Sequence, residues 1–215
     1  MINDAPADWT VMTRLAAEWK LKLFVGSLLT AFFWAGYFAC ARASSRPVSM
    51  APILTMDLQV PFVPASAWIY LSQFVTLPLL AWLMTSRREL LAFGQSVALV
   101  SGVSFSIFLI WPTFVVRPAS VPGEHYLYDL IVRADTSRNA CPSLHAAFAV
   151  LIAGCAAHTF GWRRGKPLVT AAGLWSAAVL ASTLLTKQHV LLDVVAGIAV
   201  GVSGCRWYAR AARVG

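Results

Sequence analysis

Six runs of apolar residues divide the chain, each near the roughly 20 residues that cross a bilayer as a helix. They cover about residues 23–41, 65–85, 91–116, 143–160, 168–186 and 189–208. Basic residues punctuate them. Lys20 and Lys22 precede the first run and Arg42 follows it; Arg87 and Arg88 follow the second; Arg163, Arg164 and Lys166 follow the fourth; Arg210 and Arg213 follow the sixth. Tyr37, Trp68, Tyr70, Trp82, Trp111, Trp162, Trp207 and Tyr208 gather near the run ends, as an interfacial aromatic belt does. Outside the runs, Trp9, Met12, Ala16 and Trp19 recur at helical spacing beside Arg14 and Lys20, which predicts an interfacial amphipathic helix over 9–20. Pro47, Pro52, Pro61 and Pro64 disfavour regular structure over 47–64, a loop expected to lie over the membrane surface.

Composition agrees with this pattern. Of 215 residues, 59% are hydrophobic and 12% charged, against about half and a quarter in soluble domains. A soluble fold of this length would expose large apolar patches, and a disordered chain needs the opposite composition. The expected class is all-α: a polytopic six-helix transmembrane bundle over 23–209, with an interfacial segment over 1–22 and a basic tail over 210–215. The formal charge is +8, from 17 Lys and Arg against 9 Asp and Glu. In a soluble protein this excess would point to nucleic acid. Here it falls between spans, so it sets topology and meets lipid headgroups, and no nucleic-acid partner is expected. The two ends and the loops at Arg87 and Arg163 hold eleven of the 17 basic residues, which predicts cytoplasmic termini. Loops around 42–64, 117–142 and 187–188 then face outward. The expected location is a bacterial inner (plasma) membrane, with those loops on the periplasmic face. Asp4, Asp8 and Glu18 interrupt the N-terminus, unlike a secretory signal. Cys40, Cys141, Cys155 and Cys205 lack metal-site spacing.

Ionisable residues at membrane depth are costly and usually functional. Asp193 follows His189 by four residues, which puts both on one face of a helix. An aspartate that holds one imidazole nitrogen frees the other as a nucleophile; the same pair equally staples a helix end. In Cys141-Pro142-Ser143-Leu144-His145, proline at the first helical position opens a span, and the N–H groups after it form an anion site. Ser143 adds a hydroxyl and His145 a titratable group. Arg117 and Lys187 are, singly, interface anchors. The six-span topology brings Arg117, Ser143, His145, Lys187, His189 and Asp193 to one membrane face from three connections. Together they supply anion binding, a nucleophile and an acid, which phosphoryl transfer needs. Two histidines and a carboxylate also suit zinc, but the neighbouring cations would repel a metal ion and attract phosphate. No metal and no cofactor are expected.

These residues resemble the three motifs of the type 2 phosphatidic acid phosphatase superfamily of membrane enzymes: Arg117-Pro118, Pro142-Ser143-Leu144-His145 and His189-x-x-x-Asp193. The resemblance covers about residues 57–205. It implies a metal-independent mechanism in which His189 attacks phosphorus and forms a phosphohistidine. Asp193 orients His189, His145 protonates the leaving oxygen, and Arg117, Ser143 and a further cation hold the phosphate. The chain departs from the motifs at Ile110, where a lysine is usual, at Ser182-Thr183, where Ser-Arg is usual, and at Leu144, where glycine is usual. Lys187 is the expected replacement cation and Arg138 the alternative. Pro-Ser-Leu-His, Thr186-Lys187-Gln188-His189, and Asp57 ahead of Val60-Pro61-Phe62-Val63-Pro64 are similar to the inositol-phosphoceramide synthase-like (inositolphosphotransferase) branch. The expected activity is therefore that of a lipid phosphatase or lipid head-group phosphotransferase. Its substrate would be a lipid phosphate, a polyprenyl diphosphate or a phosphodiester lipid. The competing readings are a transporter and a non-catalytic scaffold.

Overall fold

The computed structural model describes residues 11–43, 47–119, 125–135, 138–163 and 165–213. Among them the fold is all-α. Its long helices are α2 (Trp19–Ala43), α4 (Ala67–Leu83, entered through a 3-10 turn at Pro64–Ser66), α5 (Arg87–Ile110), α7 (Leu144–Phe160), α8 (Lys166–Leu185) and α9 (Leu191–Ala211). Three short helices, α1 (Val11–Ala16), α3 (Thr55–Gln59) and α6 (Tyr126–Ala134), lie outside the bundle's long elements.

Five helices are long and apolar enough to cross a membrane: those starting at Trp19, Pro64, Arg87, Lys166 and Leu191. They make the chain an integral membrane protein. The remaining expected span is α7, an apolar helix of 17 residues, about 25 Å long at 1.5 Å per residue. α7 is the axis of the bundle and packs on α4, α5, α8 and α9. Its Ala146, Ala147, Ala149, Leu151, Cys155 and Ala156 are fully enclosed, as expected of a helix apolar on every face. Phe93, Val100 and Phe108 of α5 close the core around Phe148 and Leu151. Outward-facing Phe24, Leu28, Val75, Leu174 and Val195 stay exposed, as lipid-facing side chains are.

α7 and α9 approach closely because α9 presents small residues, a recurrent solution where helices pack in lipid. A Cβ at Gly201 would come to 2.5 Å from the Ala147 carbonyl oxygen, and one at Gly197 would collide with the Ser143 carbonyl. The start of α7, which carries His145, is thereby held against the start of α9.

Several sequence expectations are corrected here. The helix expected over 9–20 is only α1, broken at Glu18, whose backbone is left-handed (φ 51°); Trp9 lies outside the described residues, as does Arg164. α2 begins at Trp19, so Lys20 and Lys22 are inside it. The third run does not stay helical to residue 116, because Pro112 cannot continue the helix and α5 ends at Ile110. The proline-rich loop is not irregular throughout. It forms α3, and a two-residue strand β1 (Ser49–Met50) that pairs in parallel with β2 (Thr113–Phe114). Thr113 then ties in the third connection: its carbonyl accepts from Ala140 N–H and its hydroxyl from Cys141 N–H at 2.9 Å. The connections that the hydropathy pattern separates are thus knitted at one end of the bundle.

Candidate active site

α9 does not start at His189. Its N-cap is Val190, and Asp193 Oδ2 accepts the Val190 N–H at 3.1 Å. His189 sits in the connection before the helix, with Nδ1 3.6 Å from Asp193 Oδ2. That is ion-pair range, longer than a hydrogen bond, so the pair comes together through the helix cap rather than one helical face. His189 Nδ1 and Asp193 Oδ1 are both buried without a hydrogen-bond partner among the described residues. The Ser143 N–H bonds the Asp193 carbonyl at 2.9 Å, which joins the second and third motifs directly.

Proline is not the first helical residue of α7. Ser143 is the N-cap, and its hydroxyl accepts from Ala146 N–H at 3.2 Å. That is the usual use of serine at this position, and with its N–H bound as well, Ser143 shapes the helix start. His145 lies in the first turn. Its ring stacks on Tyr70 with centroids 3.7 Å apart, and Phe74 meets it edge-on. Gln73 Nε2 donates to its carbonyl at 2.9 Å. His145 Nε2 is buried with no partner among the described residues, and the His145 and His189 ring centroids are 6.5 Å apart.

Arg117 emerges from β2. Its two terminal nitrogens bind Asp135, one to the carboxylate at 2.5 Å and one to the carbonyl at 3.2 Å; Nε has no partner among the described residues. The other Asp135 oxygen accepts from the Tyr37 hydroxyl at 2.5 Å. Burial pushes the Asp135 carboxyl up, but the Arg117 charge and the hydrogen bonds from Tyr37 and Arg117 outweigh it and hold the group below the usual carboxylate range. Lys187 Nζ is bound to the carbonyls of Asp57 and Val60, at 3.0 and 2.6 Å. Arg138 is exposed. Cys141 is buried, and burial together with the nearby Asp193 carboxylate pushes its thiol up to about 12.

Arg117, His145 and His189 line one cavity of about 540 Å³, with Asp135, Tyr37 and Tyr70; Ser143, Lys187 and Asp193 are not among its lining residues. The cavity continues between α2, α4, α5 and α7, past Phe33, Trp34, Leu77 and Phe148, to Lys22 at the other end of the bundle. From Tyr37 to Lys22 along α2 is about 22 Å at 1.5 Å per residue. Lys22 Nζ closes that end on the carbonyls of Arg14 and Trp82, at 2.7 and 2.8 Å. Sequence reasoning missed Tyr37, Tyr70 and Asp135. The two tyrosines read as interface aromatics, and Asp135 lies in a connection with no motif around it.

Residues 90–213, more than half the chain, match the family model of the PAP2 superfamily. The chain belongs to the PAP2 superfamily. No curated protein and no solved structure matches it. The PAP2 segment contains Arg117, His145, His189 and Asp193, and members of the superfamily are phosphatases or phosphotransferases. Membership points to a phosphatase or phosphotransferase acting on lipid phosphates in a bilayer.

Proposed function

We propose that this PAP2 protein is a lipid head-group phosphotransferase of the inositol-phosphoceramide synthase-like branch, working through a phosphohistidine on His189. The observation that carries this reading is the shared cavity: Arg117 and both histidines open into the same apolar lane, which runs about 22 Å along α2. A soluble phosphate ester has no use for such a lane, whereas a lipid places its chain there and its phosphate at the histidines.

Charge counting favours a phosphodiester over a monoester or diphosphate. Among the described lining residues the cations are Arg117 and Lys22. Lys22 is at the far end, and Arg117 is already offset by Asp135. One partly neutralised guanidinium matches a singly charged diester better than a group carrying two or three charges.

In the first half-reaction His189 Nε2 attacks phosphorus, the N–P bond forms, the ester P–O bond breaks, and protonated His145 gives its proton to the departing alkoxide. In the second, an acceptor hydroxyl attacks phosphorus, His145 takes its proton, and the P–N bond breaks. Asp193 holds the Nδ1–H of His189; the 3.6 Å separation would tighten when phosphate is bound, as catalytic contacts commonly do. Arg117 stabilises the charge that develops on the phosphoryl oxygens. Water in place of the acceptor alcohol would turn the same steps into hydrolysis.

The test is trapping of a labelled phosphoprotein from a phosphodiester lipid, quenched in alkali because phosphohistidine is acid-labile. Label is expected in the wild type and absent in His189→Ala, with the product a new head-group-bearing lipid. Release of the free phosphorylated head group as the sole phosphorus-containing product would assign a hydrolase. Absence of label from both proteins would refute the covalent route.

A further inference from the structure

The α9 N-terminus has no side-chain acceptor at its N-cap residue, although Asp193 accepts the Val190 N–H. Val190 occupies the N-cap position and has no side-chain oxygen to offer the first-turn N–H groups. The missing acceptor comes from the other side of the sequence: Asp57 Oδ1 accepts the Leu191 N–H at 2.8 Å. Asp57 Oδ2 meanwhile accepts the Leu54 N–H at 2.8 Å, closing the first turn of α3. Both carboxylate oxygens are engaged, and the residue is buried.

Lys187 fastens the same two segments in the opposite direction. Its ammonium reaches from the α8–α9 connection to the Asp57 and Val60 carbonyls. Val63 N–H adds a bond to the Leu185 carbonyl at 2.8 Å. The connection itself is tightly wound: Gln188 and His189 N–H groups both point at the Thr183 carbonyl, at 3.1 and 3.2 Å, and Lys187 adopts a left-handed backbone (φ 53°). A non-glycine residue holds that conformation where its surroundings enforce it. His189 lies between Lys187 and Leu191, two of the three points at which the 54–63 segment is bonded to this stretch.

We infer that Asp57 and Lys187 are positioning residues: they clamp the 54–63 segment onto both sides of His189 and fix its imidazole for attack. This rests on the phosphohistidine reading for its effect on turnover, but the clamp itself is a statement about structure. It gives Lys187 a role other than binding phosphate, the expectation its place in the sequence raised.

The experiment uses the full-length protein in detergent with Asp57→Asn, Lys187→Met and Lys187→Arg. Amide hydrogen exchange should quicken at least tenfold over residues 187–193 in Asp57→Asn and Lys187→Met, with α7 unchanged. Both variants should lose at least tenfold in kcat and in the rate of phosphoenzyme formation, while KM and inhibition by inorganic phosphate stay within twofold. Lys187→Arg, which can still donate to two carbonyls, should keep kcat within about threefold of wild type. The double variant should lose no more than the worse single one, because both act through one element. Unchanged exchange at 187–193 in both variants would overturn the clamp whatever the activity. So would a tenfold weaker phosphate inhibition with unchanged kcat in Lys187→Met, the result expected of a direct phosphate ligand. Quickened exchange in a protein whose wild type forms no phosphoenzyme would leave the clamp standing and remove the phosphohistidine reading instead. Lys187→Met places no new polar group in a buried site, so it serves if Asp57→Asn does not fold.

Discussion

His189 and His145 differ in what surrounds them, and the difference matches their proposed roles. His189 has a carboxylate 3.6 Å from Nδ1, which suits a neutral nucleophile with its proton held on that nitrogen. His145 is packed against two aromatic rings, and its Nε2 has no partner among the described residues, so the ring is held in place with one nitrogen open to a leaving oxygen. Loss of a general acid typically costs 10²–10⁴ in rate, so His145→Asn should lower kcat by about that factor and allow phosphoenzyme to form slowly. The Arg117–Asp135 pair carries a pH consequence. The folded carboxyl of Asp135 lies below its ordinary value, near 3.9 when unperturbed. A depressed carboxyl contributes stability that is present in full above about pH 4 and is lost as pH falls through the folded value. The melting temperature of the wild type should therefore exceed that of Asp135→Asn at pH 7, and the gap should close as the pH is lowered below about 4.

At the scale of elements, the meeting of α7 and α9 decides whether the motifs form a site. The second motif begins α7, the third begins α9, and Gly197 and Gly201 let the two helices touch. Inserting bulk into such a contact costs typically 1–3 kcal/mol. Gly201→Leu should lower the thermal midpoint in detergent and reduce kcat together, although residue 201 touches no reacting group. The motif spacing was legible in the sequence because proline, serine and two histidines stand out in an apolar run. The caps were not. That Ser143 and Val190 are the N-caps, and that Asp193 reaches His189 from within a cap, depends on where each helix starts, and hydropathy blurs helix starts by several residues.

At the scale of the molecule, the apolar lane and the polar site form one cavity. Gly26 lines the lane and has open space where its Cβ would sit. Gly26→Trp should fill that space, raising KM for a long-chain lipid severalfold and leaving turnover of a short-chain, water-soluble analogue near wild type. Equal effects on both would mean that the chain lies elsewhere. The sequence by itself determined the membrane class and the all-α fold, and singled out the candidate His–His–Asp–Arg set. Each follows from local quantities: apolar run length, charge scarcity and residue spacing. Only the tertiary structure decided what each polar group is bonded to. It gave Arg117 a carboxylate partner 18 residues away, set Lys187 on carbonyls 127 and 130 residues away, and capped α9 with Asp57 from 134 residues away. Those bonds form because unsatisfied backbone and charged groups are too costly to leave buried. Which partner satisfies each is fixed by how the helices pack, a property that no local stretch of sequence carries.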